Sequence, residues 1–171
     1  PGLTLTNKSV RALAVSGTNL FAGTYGGVFH TEKDSTSWSE VNSGLTNRSV
    51  TSLAVLGTNL FVGTSDPAQV NGLPNDDVRS LAVSGTNLFA GTSGKGVFLS
   101  TNNGTSWSGV SSGLTGSAVS GTYVYSLAVS GTNLFAGTGN GVFLSTNNGT
   151  SWSEVSSGLM NKNIKSVVVS G

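Results

Sequence analysis

The chain is predicted to be all-β, a β-propeller of four-stranded antiparallel blades, and three features of the sequence predict it. A phrase beginning at Leu13, LAVSGTNLFAGT, returns with small changes at Leu53, Leu81 and Leu127, and its opening beats return at Val167 as VVVSG. These anchors stand 40, 28, 46 and 40 residues apart. A strand-built repeat near this length indicates propeller blades, not paired helices. Within the copies, runs of Val, Leu and Phe alternate between Gly, Ser and Asn turn residues, as strands require.

The fourth copy justifies the elements of one blade in order. Residues 124–129 are β-rich and alternate, Ser130-Gly131-Thr132 turns the chain, and residues 133–138 form a second strand. Gly139-Asn140-Gly141 turns it again into a third strand at 142–145. Thr146-Asn147-Asn148-Gly149 is a tight turn whose Asn and Gly tolerate positive φ, and residues 151–155 close the unit. Leu127-Ala128-Val129 and Leu134-Phe135-Ala136 carry apolar or small residues on both faces, which suits a sheet sandwiched between neighbouring blades.

Read this way, residues 1–171 form a single part-propeller domain. Its blades lie at about 8–44, 48–73, 77–114 and 123–159, with one extra strand at 163–171. The second blade is truncated by about 12 residues: Ser65 to Pro74 stands where a third strand, a turn and a tryptophan are expected, and Pro67 and Pro74 are placed to blunt the open edge. The third copy gains an insertion at 116–123. About three and a half blades fall short of the 4 to 8 of a closed ring, so two chains are expected to complete one ring, or the chain to be a piece of a longer array.

Composition excludes several functions. A net charge of +1 with scattered Lys and Arg leaves no basic face for nucleic acid, and no apolar run is long enough to span a bilayer. There is no cysteine, hence no disulfide and no thiolate metal site or nucleophile. Gly, Ser, Thr and Asn make up about half the chain, a linker-like composition that the strand periodicity overrules. The opening residues Pro1-Gly2-Leu3-Thr4 lack the basic and apolar regions of a signal peptide. No metal and no cofactor is expected.

Two octapeptides, Ser100 to Trp107 and Ser145 to Trp152, read identically as STNNGTSW. They resemble the Asp-box, the Ser-x-Asp-x-Gly-x-x-Trp hairpin of sialidase-type, sortilin-type and related bacterial secreted propellers, with Asn102 and Asn147 in place of the usual Asp. The resemblance implies a peripheral turn between third and fourth strands, held by Ser100, Asn102, Gly104 and Trp107 in one blade and by Ser145, Asn147, Gly149 and Trp152 in the next. It also implies a secreted or cell-surface bacterial protein whose signal peptide is not in this chain. In the first blade the box is eroded, with Lys33 for Asn and Ser35 for Gly, although Trp38 remains. Its His30, the only histidine, stands where other copies have Leu99 and Leu144 and reads as a spacer.

A site must come from what differs between near-identical copies. The position two before each anchor varies most: Arg11, Thr51, Arg79, Tyr125 and Lys165. Propeller faces bind ligands through such loop-proximal positions, so Arg11, Arg79, Tyr123 and Tyr125 are the candidate contacts, with Tyr25 beside them. Arg11, Arg48 and Arg79 could together hold a carboxylate, but Glu32, Glu40 and Glu154 lie on outer segments, and Asp76 and Asp77 read as a turn, so no catalytic residue is assigned. The Asn-x-Ser/Thr triplets at Asn7, Asn47, Asn103 and Asn148 read as by-products of the repeat. The sequence therefore points to a non-enzymatic scaffold or interaction module for protein or glycan. A structural repeat fragment or designed or amplified propeller without a ligand, and a sialidase-like glycosidase, are the alternatives.

Overall fold

The computed structural model describes residues 5, 9–65, 73, 76–114 and 121–170. Pro67, Pro74, Asn7 and most of the 116–123 insertion lie outside them. The first blade is an antiparallel sheet of β1 (Val10–Ser16), β2 (Asn19–Thr24), β3 (Gly27–Glu32) and β4 (Ser39–Glu40), in that order. The second has β5 (Val50–Leu56) and β6 (Asn59–Thr64) alone. The third is β7 (Val78–Ser84), β8 (Asn87–Gly94), β9 (Val97–Ser100) and β10 (Ser108–Gly109), and the fourth is β11 (Thr122–Ser130), β12 (Asn133–Thr138), β13 (Gly141–Ser145) and β14 (Ser153–Glu154). No helix occurs among the described residues, and the curled sheets form an open part-ring.

Inner strands β1, β5, β7 and β11 follow one another around the ring. The same device joins each blade to the next. A Cβ on Gly63 would lie 2.8 Å from Val78 Cγ1, one on Gly91 2.6 Å from Val124 Cγ1, and one on Gly137 2.9 Å from Val167 Cγ2; Gly23 meets Val50 more closely still. The glycine of every FAGT or FVGT phrase is thus the socket into which the first strand of the following blade presses a valine, a close approach only glycine allows. Between the third and fourth blades this seam buries Phe89, Val97, Val124, Leu127, Leu134, Phe143 and Trp152. Between the first and second it buries Val28, Val50 and Leu53.

Three features depart from the sequence expectation. The fourth strands are two residues long, because only Ser153 and Glu154 reach ladder partners on β13 and only Ser108 and Gly109 reach β9. Residues 163–170 are not a strand. They lie along the fourth blade, with Ile164 N–H bonded to Thr138 O at 2.8 Å, but no second strand follows to pair them into a ladder. Finally, β11 starts early, and Thr122 and Tyr123 pair with Gly94 and Ser93 of β8, stitching the third and fourth blades into one eight-stranded sheet.

Candidate functional site

Each inner strand carries a register shift at its start, between Val10 and Ala12, Val50 and Ser52, Val78 and Ser80, and Val124 and Ser126. The skipped residues are Arg11, Thr51, Arg79 and Tyr125, the positions that vary most between copies. A bulge re-aims the side chain of its extra residue out of the ladder. The variable position is therefore displayed by the backbone itself, once per blade, at one end of the inner strands.

What these residues reach differs from blade to blade. Tyr125 is half-buried and stacks with exposed Tyr123, ring centroids 6.1 Å apart and planes at 24°. Lys165 Nζ sits 3.4 Å over the Tyr125 ring, a cation–π contact made by the segment that follows the fourth blade. In the first blade Arg11 covers the Tyr25 ring at 4.7 Å. Thr51 Oγ1 donates to Val78 O of the next blade. Arg79 pairs with Asp77 at 3.1 Å, while its Nε is buried without a partner.

The structure does not gather the three arginines. Arg48 lies 3.9 Å from Glu40 on the surface, Arg79 is held by Asp77, and Arg11 by Tyr25. Asp76 accepts from Ser93 Oγ at 2.9 Å and Lys95 N–H at 3.0 Å, so it braces the end of β8. Glu154 bonds Lys162 and Ser156, and these hold its carboxyl below the usual range, Lys162 foremost. His30 Nε2 donates to Asn19 Oδ1 at 2.8 Å and leans on Phe21 at 5.2 Å. Among the described residues no three His, Cys, Asp or Glu side chains stand together as a metal cluster.

The two octapeptide turns share one geometry. Ser145 Oγ donates to Asn147 Oδ1 at 2.9 Å and accepts from Gly149 N–H at 2.8 Å; Ser100 makes the same pair with Asn102 and Gly104 at 3.0 and 2.9 Å. Each asparagine then clasps the second serine, its Oδ1 accepting from the backbone and its Nδ2 donating to the hydroxyl. Asn103 and Asn148 take φ 54° at the tip. Asp34, at φ 70°, keeps the same tip in the eroded first blade. These bonds close on themselves and leave the turn no free chemistry.

The tryptophans that end the turns differ in one respect that the sequence could have disclosed. Trp152 is buried, and its Nε1 donates to Val110 O of the preceding blade at 2.7 Å. Trp107 Nε1 is also buried but has no acceptor. Its preceding blade is the truncated one, which lacks the residue corresponding to Val110.

No protein-family model and no curated protein matches the chain. Solved structures do match it in fold. The extracellular domain of BT4673 from B. thetaiotaomicron aligns with TM-score 0.70 and 23% identity over 91% of this chain. An ancestral GH74 enzyme aligns with TM-score 0.70 and 23% identity over 85%. PorZ, a bacterial surface component of the type-IX secretion system of Porphyromonas gingivalis, aligns with TM-score 0.62 and 15% identity over 96%. The chain spans only 24%, 24% and 25% of those proteins. At these identities the likeness concerns architecture: the chain is an all-β part-propeller.

Proposed function

We propose that the protein is a non-enzymatic Asp-box propeller module, secreted or held at a bacterial cell surface, that binds a glycan on the bulge face of its inner strands. The observation that carries this reading is the stacked Tyr123–Tyr125 pair with Lys165 over it, displayed where the repeat itself demands no aromatic residue. Tyrosine faces suit the C–H faces of a sugar ring, and the surrounding Ser, Thr and Asn suit its hydroxyls. The extracellular domain and the surface component among the structural neighbours support the location. The GH74 enzyme is the reason to test turnover as well. On a glycan array the protein is expected to give a signal that Tyr123→Ala abolishes, with no release of product from fluorogenic glycosides. A silent array, a signal indifferent to Tyr123→Ala, or turnover of a sialoside or glucoside would each overturn the proposal.

The same module is proposed to work as two chains completing one ring of seven or eight blades. Leu13 and Val15 on β1 are 61% and 66% exposed, whereas Leu53 and Leu127, at the first of these positions in other blades, are 8% exposed. The first blade thus presents the face that every other blade buries against a predecessor. At the other end Val168 is 89% exposed. Light scattering is expected to give the mass of a dimer, and Leu13→Glu that of a monomer. A monomeric wild-type chain would sink the two-chain ring.

A further inference from the structure

We propose that the truncated second blade is a docking notch for an extended, apolar, uncharged segment of a partner protein, which adds to β6 as the missing third strand and offers a backbone carbonyl to Trp107 Nε1. A cleft of about 230 Å³ opens beside β6, walled by Leu45, Phe61, Val62, Leu81, Leu88 and Trp107. Among the described residues β6 pairs with β5 alone, so its outer edge of N–H and C=O groups has no ladder. Exposed strand edges recruit strands.

The neighbouring blades supply the template for what fits. In the third blade Leu88, Phe89, Ala90 and Gly91 pair with Ser100, Leu99, Phe98 and Val97. Leu60, Phe61, Val62 and Gly63 stand at the same positions of β6, so an antiparallel segment patterned like Val-Phe-Leu-Ser continues this sheet in the same register. Beyond that strand, Val110 packs against Gly149, where a Cβ would lie 2.9 Å from its Cγ2, and its carbonyl takes the Trp152 indole. At the notch Phe61 occupies part of the corresponding space, 3.1 Å from a Cβ on Gly104, but an aromatic ring carries no carbonyl. The indole N–H of Trp107 is therefore the one strong donor left waiting, and an arriving main chain answers it. A charged segment is excluded because the one acid lining the cleft, Asp76, is already bonded to Ser93 and Lys95.

The probe is a fluorescein-labelled peptide with the sequence of residues 96–110, GVFLSTNNGTSWSGV, titrated with the full chain and read by anisotropy. Saturable binding is expected, weakened about five-fold by Trp107→Phe, the effect of one neutral hydrogen bond. A chain whose residues 65–73 are replaced by a copy of residues 139–159 has its blade restored and is expected to bind no peptide. Tyr123→Ala should leave peptide binding intact, which separates this site from the glycan face. Binding that persists in the restored-blade chain, or is absent from the wild type, overturns the proposal. Absence of peptide binding, together with a wild-type dimer that the restored blade converts to monomer, would identify the occupant as a second copy of this chain and likewise overturn the partner.

Discussion

Alanine in place of Phe89 is expected to lower the unfolding free energy by about 3–5 kcal/mol, the cost of emptying a fully buried phenylalanine site. Phe89 is 0% exposed and sits on the face of β8 that receives the fourth blade, in the cluster with Val124, Leu127 and Trp152. Phe135 is the same residue of the next copy, on β12, and is half-buried because no complete blade follows it. Phe135→Ala is therefore expected to cost about 1 kcal/mol, in proportion to the smaller area withdrawn from water. Since a domain of this kind stands only about 5–15 kcal/mol above its unfolded state, the first variant loses a large share of its stability and the second does not. Urea titrations of the two variants give the comparison directly, and equal midpoints would mean that blade stacking is not what buries the repeat. In a two-chain ring the Phe135 cost rises with protein concentration, because the partner then covers that face.

Trp152→Phe is expected to cost about 1–3 kcal/mol, whereas Trp107→Phe should change stability by less than about 1 kcal/mol in either direction. Removing the Trp152 indole N–H strands the Val110 carbonyl in a buried seam, and an unsatisfied buried acceptor bears its whole desolvation penalty. Removing the Trp107 N–H deletes a donor that already lacks a partner, so lost packing and relieved desolvation oppose each other. Unchanged m-values alongside the shifted midpoint for Trp152→Phe would show that stability, and not the denatured state, has moved. Similar losses at both tryptophans would mean that Trp107 has an acceptor after all, and would remove the ground for the docking notch.

Much of the fold was legible because the repeat exposes its own strand boundaries: β12 and the turn at Asn148-Gly149 fall where the alternation and the Asn-Gly dipeptide put them. The fourth strands were overestimated because β-propensity at Ser151 to Val155 says nothing about ladder partners, and the strand partner β13 is met by only two residues. Residues 163–170 read as a strand for the same reason, since Val167-Val168-Val169 has the composition of one but nothing to pair with. The candidate site was half legible. Variation among copies marked Arg11, Arg79 and Tyr125, but a bulge leaves no signature in composition, so their display by the backbone emerged only from the registers. The possible gathering of arginines failed on local chemistry: Asp77 lies two residues from Arg79, and Tyr25 and Glu40 take the others. The lone Trp107 donor was readable in principle, by asking which residue of the truncated copy should have accepted it.

The glycine socket and valine knob recur unchanged at every seam, and the seam after the second blade is intact although that blade has lost its outer half. Blades joined this way are interchangeable, since none carries a feature that selects its successor. Such a joint is head-to-tail and has no symmetry that ends it, so nothing in the contact counts blades; only the angle turned at each step decides whether the array meets itself or runs on as a filament. Duplication can therefore lengthen the protein, and deletion can strip a blade to its inner pair, without any new interface having to be invented.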